Sequence, residues 1–508
     1  MTNTDQNKIN EVKEHIKIKE LVKKGALKLY KLEEYVFENL LYSDSEKFKT
    51  AIETAENIRA EIIEEKLAVT LDKIKEKGKD FINTARLKEG SIVKGTELKI
   101  GTAKIPLSIA GPVKIRLKRY DSTDSIVDNI RREITKEDLP EFFIPIATNE
   151  AALTAGLNRG FKAINRSGGI TTSAIYNGMT RAPLLEAIDN AAAQRFVNDI
   201  NNTNNRNSAN HEKYNKMFSR IVKENSQYSS FMDAKAYSVQ NKIWLRLRFD
   251  TGEAMGMNSA VKYTTLIIRE LLDVKKNPEN KNIKLLALSG NMCCDKKAAM
   301  INITEGRGFK AEAAVTISED VLKKVFNTKV EDSNTIAEKI IKLNYWKNHI
   351  GSSLAGSATG LNANAANTIA AIFAATGQDL AQIVESSTCY TFAEASPKHS
   401  ESGLKFSITL PCLEVGTVGG GTQFGTAKEA LNIIFTAINN KKYIKENIED
   451  LDKYINKSRR NNTNSGILAQ VIAAAVLSQE LNLLAVLADD YALCNCHMLL
   501  ARGEKKRA

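Results

Sequence analysis

Proline is nearly missing from this chain, with eight in 508 residues and none before Pro106. Proline is the residue that most firmly interrupts a helix. Its absence lets residues 1 to about 90 read as charged amphipathic helices, with Leu21, Leu27, Leu32 and Val36 at helical spacing. Cysteine is scarce too: six residues, none at secreted-module spacing, exclude a disulfide framework and indicate a reducing compartment. No signal peptide is expected, because Met1 to Lys19 is polar and charged. The most apolar run, Ile467 to Ala488, is broken by Gln470, Ser478, Gln479, Glu480 and Asn482, so it reads as a buried helix pair and not a membrane span. A soluble, cytoplasmic protein is expected. The net charge of +12 raises nucleic acid as a partner, but lysines and acids interleave, as in Lys66 to Asp80, and no basic-aromatic stripe occurs. The positive balance would instead suit polyanionic small molecules.

What is present is the texture of a globular enzyme, 43% hydrophobic and 26% charged, and long enough for two or three domains. From Gly90 the chain turns to glycine, proline and β-branched residues, with strand and turn expected over Ile105 to Val113. Asn198 to Asn210 is an asparagine-rich loop or insertion, and a second asparagine-rich turn falls near Arg459 to Ser465. Ile243, Leu245, Leu247 and Phe249 alternate with Trp244, Arg246, Arg248 and Asp250, the period of a half-buried strand. Residues 351 to 385 are dense in Ala, Gly, Ser and Asn, as closely packed helices require.

Five segments carry chemistry. Asp295-Lys296-Lys297 sits between the apolar flanks Leu285 to Leu288 and Ala298 to Ile301. An unpaired buried ammonium is costly, so the triplet reads as two cations offered to a carboxylate or polarised carbonyl, with Asp295 fixing one lysine. The plain alternative is a solvated lysine pair. Phe142 to Ile146 reads as a strand running into a helix over Ala147 to Leu153, with Thr148 or Asn149 as N-cap and Glu150 as a first-turn acid. Gly252 to Asn258 opens a helix that would carry Val261, Ile268 and Leu272 on one face. Its glycines and helix N-terminus favour an anion, although the spacing is not that of a Rossmann turn. Asp379 and Gln382 form a capping-box pattern. Gly416 to Thr422 is a glycine cluster after the strand-like Phe406 to Leu410, either a tight turn or a site of close contact. Near the C-terminus, His497 stands beside Cys494 and Cys496. An exposed tail histidine is the plain reading, and zinc would lack a second ligand pair at structural spacing. His15, His211, His349 and His399 fall in no motif.

In order along the chain, from about Gly90 to the C-terminus, these segments resemble the class I 3-hydroxy-3-methylglutaryl-CoA (HMG-CoA) reductases. The resemblance implies an α+β fold: a helical N-terminal segment over 1–95, a large discontinuous domain over 96–182 and 288–508, and an inserted small α/β dinucleotide-binding domain, not of the Rossmann type, over 183–287. It implies catalytic roles for Glu150, Lys296, Asp379 and His497, and substrate binding by Arg181, Ser289, Asn291, Asp295, Lys297, Lys347, Asn367, Asn158 and Arg159. The cofactor would be NADPH, with NADH as the alternative and no metal, held by Glu253, Ala254, Met255, Gly256, Met257, Asn258, Gly419 and Gly420. A homodimer or homotetramer with its active site at the subunit interface is implied, with no nucleic-acid or membrane partner. Several positions depart from the family pattern. Glu253 stands where aspartate is common, and Ser229-Ser230-Phe231 lacks the arginine of a Ser-Arg-Phe stretch that takes the 2′-phosphate. Asn364 stands where histidine is frequent, and Arg502-Gly503 lacks a regulatory serine.

The implied reaction is a two-hydride reduction of HMG-CoA to mevalonate and CoA. Lys296 would stabilise the developing oxyanion, His497 would protonate the departing thiolate, and Glu150 would donate a proton to the aldehyde, with Glu150, Asp379 and Lys296 titrating as one unit. Another CoA-thioester or dinucleotide-dependent oxidoreductase on the same scaffold, or a basic nucleic-acid-binding protein, are the alternatives that an assay would separate.

Overall fold

The computed structural model describes residues 15–28, 31–39, 44–67, 85–88, 91–94, 98, 100–119, 139–202, 209–326, 335–357, 359–396, 403–439 and 463–489. His497, Cys494, Cys496, His399 and Arg502 lie outside the described residues, as do 203–208 and 459–462 of the asparagine-rich segments.

Two compact units divide the chain: residues 1–106 with 423–429, and residues 107–422 with 430–508. The first carries the helices Leu32–Asn39 and Asp44–Leu67 and an antiparallel hairpin of β1 (Ala85–Lys88) and β2 (Ser91–Lys94). The helical spacing there has its expected consequence. Leu27, Leu32 and Val36 are buried with Ile18, Ala55 and Ile58, and Leu21 packs half-buried against them. Glu33 and Arg59 pair inside this small core, so the buried charges are matched.

The second unit contains β3 (Leu107–Arg119), β4 (Glu141–Ala147), β5 (Ile170–Tyr176), β6 (Met179–Arg181), β7 (Leu184–Ala187), β8 (Ser230–Val239), β9 (Lys242–Asp250), β10 (Ile283–Ala287), β11 (Phe309–Ser318), β12 (Gly360–Leu361), β13 (Cys389–Ser396) and β14 (Gly403–Leu413). They form two sheets. The larger has the order β12-β13-β14-β11-β5-β3-β4, mixed in direction, with β3/β5 and β12/β13 parallel. The smaller runs β10-β7-β9-β6 with β8 on the other side of β9, and all its pairings are antiparallel. That direction excludes the parallel Rossmann order and makes this part α+β in character, not α/β. Its sheet already includes Met179–Arg181, ahead of the expected boundary at 183.

Each sheet has its own core. In the smaller one Ile243, Leu245, Leu247 and Phe249 are fully buried under the helices Asn190–Asn201, Ala209–Asn225 and Met257–Leu271. Arg246, on the face assigned to solvent by alternation, is also buried, because that face is covered as well. The helix Met257–Leu271 buries Ala260, Tyr263, Thr264, Ile267, Ile268 and Leu271. Of the face expected from sequence only Ile268 is fully inside, while Val261 and Leu272 are half-buried.

The larger sheet is backed by one continuous helix, Thr463–Leu487, where a helix pair was expected. It is long and apolar enough to cross a membrane, but 89% of that apolar window is buried inside the protein. Its polar residues explain how. Glu480 accepts from the backbone N–H groups of Ala363 and Asn364 and from the Thr391 hydroxyl. Gln470 binds Thr172 and the Lys118 N–H, and Ser478 donates to the Leu157 carbonyl. Buried polar groups with partners cost little. Against this helix lies Leu153–Arg166, whose Gly160 sits so close to the Ser478 carbonyl that a β-carbon would collide with it.

Candidate active site

The lysine loop is a strained turn. Asn291, Cys294 and Lys296 all have positive φ, at 64°, 48° and 60°, a region that costs a residue other than glycine roughly 1–2 kcal/mol. Such a backbone persists only where its surroundings over-determine it. Here the surroundings are a buried charge network. Arg307, 0% exposed, donates to both carboxylate oxygens of Glu414, to Asp295 at 2.9 Å, and to the Thr180 carbonyl and hydroxyl. Gln382 donates to the same Asp295 oxygen at 2.9 Å, and Asn302 donates to the Cys294 carbonyl. The Lys296 N–H is taken by Glu385 at 2.7 Å.

This corrects two readings. Asp295 does not fix a lysine ammonium: its carboxylate is held by Arg307 and Gln382, with Arg181 at 3.9 Å, and Lys297 reaches only the Asp295 backbone carbonyl. Gln382 does not close a capping box with Asp379. Asp379 accepts instead from the Ala381 N–H, and Gln382 points to Asp295. The oxygens of Asp295, Glu385 and Glu414 lie within 4.8 Å of one another, and the Arg307 guanidinium is their counter-cation. The apolar flanks are not buried either, since Leu285, Leu286 and Met300 are exposed.

With its backbone fixed, Lys296 extends outward. Its ammonium lies 3.8 Å from Asp379, and the two side chains are 47% and 38% exposed. Asp379 follows Gly377, a left-handed C-cap of the helix Ala365–Thr376. The glycine cluster packs here: Gln378 exchanges two hydrogen bonds with the Gly416 backbone, at 2.9 and 3.0 Å, and a β-carbon on Gly421 would meet the Gly377 carbonyl. Beyond it, the Thr417 and Val418 N–H groups donate to the Glu253 carbonyl, and the Glu253 carboxylate takes Thr417 and the N–H groups of Asn464 and Ser465. Glu253 therefore clasps three segments together. Gly256 is a left-handed N-cap of the helix Met257–Leu271 with no side-chain cap. Gly419 and Gly420, both exposed with positive φ, have open space where a β-carbon would stand. Uncapped N–H groups and bare backbone suit an anionic dinucleotide. Neither strand arginine is free to read a 2′-phosphate. Arg248 pairs with Asp233 and two backbone carbonyls, and Arg246 is buried against the Gly306 carbonyl.

A second group of residues lies elsewhere. Glu150 precedes its helix, which begins at Leu153 with Ala152 as N-cap, so Glu150 is not a first-turn acid; the Thr148 hydroxyl accepts the Glu150 N–H. Its carboxylate accepts from Asn367 at 3.1 Å. Both line a cavity of about 350 Å³ with Arg159, Asn364, Gln479 and Asn482. Glu480 holds the Ala363–Asn364 backbone beneath it. Asn158 spends its side-chain oxygen on the Gly111 N–H, and Lys347 lies on the π-helix Asn344–Gly351, 3.3 Å from Asn348. Among the described residues no hydrogen bond or ion pair joins the Glu150 group to the Lys296–Asp379 group. The helix Ala365–Thr376 carries Asn367 in its first turn and leads into Asp379 past its other end; from Asn367 to Thr376 its axis spans about 14 Å at 1.5 Å per residue.

Sequence reasoning missed Arg307, Glu385, Glu414 and Glu480. Their one signal is placement, as single charges within apolar or glycine-flanked runs such as Leu413-Glu414-Val415 and Gly306-Arg307-Gly308.

The model of one protein family, hydroxymethylglutaryl-coenzyme A reductase, matches residues 55–502. The chain belongs to that family. It is 34% identical over 490 residues to the 3-hydroxy-3-methylglutaryl-coenzyme A reductase of Pyrococcus abyssi, covering 95% of this chain and 98% of that one. To the reductase of Aeropyrum pernix it is 37% identical over 407 residues, 80% of this chain and 82% of that one. Among solved structures, a class II HMG-CoA reductase from Streptococcus pneumoniae, bound to NADPH in open conformations, superposes with a TM-score of 0.52 at 16% identity, over 85% of this chain and 96% of that one. That likeness carries the fold.

Proposed function

We propose that this chain reduces the thioester of HMG-CoA to the alcohol of mevalonate and releases CoA, with NADPH as reductant. The observation that carries the reading is the Lys296–Asp379 pair, 3.8 Å apart and open to solvent beside a bare glycine loop and an uncapped helix N-terminus. NADPH, when bound, supplies the hydrides for both reductions. Glu253 to Asn258 with Gly419 and Gly420 are the proposed holders, on a small domain that we set at 179–287.

Lys296 stabilises the negative charge that develops on the carbonyl oxygen, and a fixed cation there acts without reorganisation. His497 protonates the departing CoA thiolate near neutral pH. Glu150 donates the proton that the aldehyde oxygen needs in the second reduction. Arg181, Ser289, Asn291, Asp295 and Lys297 form the substrate side of the lysine loop, and Asn367, Lys347, Asn158 and Arg159 the opposing side. The scheme uses no metal.

Glu150 and Lys296 must meet one substrate, yet they lie toward opposite ends of one helix. A second copy of the chain can bring its Glu150 group to the Lys296 group of the first. Exposed apolar side chains beside the loop and beside Asp379, among them Leu285, Leu286, Met300, Leu380 and Val384, support an interface there. The protein is therefore read as a class I, cytoplasmic homodimer or homotetramer with the site between subunits. The test follows cofactor oxidation spectrophotometrically with HMG-CoA and with other CoA thioesters. HMG-CoA should drive it, and Lys296→Ala should lower turnover on the order of a hundredfold or more. Oxidation driven by a different thioester, with HMG-CoA inert, would transfer the assignment to another reductase on this scaffold.

A further inference from the structure

We infer that Glu385 is a positioning residue for Lys296: its buried carboxyl group accepts the Lys296 backbone N–H at 2.7 Å and fixes the left-handed turn from which the ammonium is presented. The inference rests on the proposed role of Lys296. Glu385 is fully buried in a short helix, Ile383–Ser386. Lys296 at φ 60° would relax toward the ordinary region without an acceptor at that spot, because the left-handed conformation costs a lysine free energy that something must offset.

The same carboxyl is the odd charge of its surroundings. Arg307 offers one positive charge to three acids. Glu414 takes it through two hydrogen bonds and Asp295 through one at 2.9 Å, whereas Glu385 stands 3.9 Å off with its second oxygen unpartnered. Burial, followed by the charge of Glu414, pushes the Glu385 carboxyl up to about 8. Ionisation adds a further negative charge beside Glu414. The groups facing it are Asp295 and Lys296 on the loop, Arg307 ahead of β11, and Cys412 and Glu414 at the end of β14, with Asp379 beyond the Lys296 ammonium. None of these is a spare cation for Glu385, while the Lys296 N–H favours the carboxylate and opposes the rise, so the acceptor is kept in either protonation state.

The experiment measures kcat and KM of the full-length enzyme for HMG-CoA and NADPH between about pH 6 and 9.5, for wild type, Glu385→Ala, Glu385→Gln and Lys296→Ala. Glu385→Ala should lower kcat on the order of a hundredfold, the cost of about 1 Å of misplacement, with the KM for NADPH little changed. Glu385→Gln keeps an acceptor at the same spot, so it should restore most of the turnover that Glu385→Ala loses. Wild-type kcat in Glu385→Ala overturns the inference. So does a folded Glu385→Gln whose turnover falls as far as that of Lys296→Ala, a readout that stands even where the alanine variant fails to fold. An inactive Lys296→Ala beside insensitive Glu385 variants removes the inference alone, whereas an active Lys296→Ala removes the reading beneath it as well.

Discussion

Arg307→Met should be among the most damaging single substitutions outside the reacting groups, and its cost can be worked from the network. The guanidinium is 0% exposed and donates to Glu414, Asp295, Thr180 and the Cys293 carbonyl. Methionine replaces the aliphatic stem, so little apolar packing is lost. What remains is Glu414, fully buried, beside Glu385, with Arg181 at 3.9 Å from Asp295 as the nearest cation. Removing one partner of a buried ion pair costs about 3–5 kcal/mol, mostly as the penalty of the stranded charge. In a large unit each kcal/mol moves the midpoint by about 2–4 °C, so a fall of roughly 10 °C is expected in thermal unfolding followed by circular dichroism.

The sign of the pH dependence makes the test sharper. In wild type burial already raises the Glu414 pKa and Arg307 opposes that rise; without Arg307 it rises further. A carboxyl whose folded pKa lies above its unfolded value destabilises increasingly as pH climbs between the two. The deficit of Arg307→Met should therefore be smaller at about pH 5 than at pH 7. Adding Glu414→Gln should recover part of it, since the stranded charge is removed. A midpoint within about 2 °C of wild type, or a deficit that ignores both pH and the second substitution, would refute the stranded-charge account.

Gly160→Val should destabilise the larger unit by about 1–3 kcal/mol, because its side chain would enter the Ser478 backbone; a wild-type urea midpoint would show that the two helices part easily. With Arg246 and Arg248 both committed inward, NADPH should exceed NADH in kcat/KM by less than roughly fiftyfold, the worth of one charge-assisted contact. A preference above about a thousandfold would mean that another cation reads the phosphate. His497→Gln should slow HMG-CoA reduction far more than mevaldehyde reduction, since mevaldehyde releases no thiolate. Equal losses would assign His497 to another step.

What could be read along the chain was whatever a single segment determines. The alternation from Ile243 to Phe249 becomes a buried strand, and Gly256 opens a helix as its motif required. The Asp295-Lys296-Lys297 triplet stands at the candidate site. The readings that failed depended on a partner from elsewhere. Asp295 looked like a tether for its neighbouring lysines, but a carboxylate bonds whatever donor tertiary structure brings within about 3 Å, and that was Arg307 and Gln382. Arg246 looked exposed because alternation knows one sheet face only. Ile467 to Ala488 looked divided because Ser478 to Asn482 looked like a break, whereas Glu480 meets its three donors from segments over a hundred residues away in two cases.

The same limit applies to the reacting groups. Glu150, Lys296 and Asp379 look like one cluster when their chemistry is read from motifs, because one substrate requires all three. The helix Ala365–Thr376 is a rigid spacer between Asn367, which holds Glu150, and the turn that presents Asp379. A helix of 12 residues does not shorten, and bending it through about 14 Å would break its hydrogen bonds. On the proposed reading the acid and the lysine come from different copies. The exposed ammonium of Lys296 and the exposed apolar residues around it would then be one half of an interface, whose shape is fixed within a single chain by the buried network of Arg307, Glu414, Asp295 and Glu385.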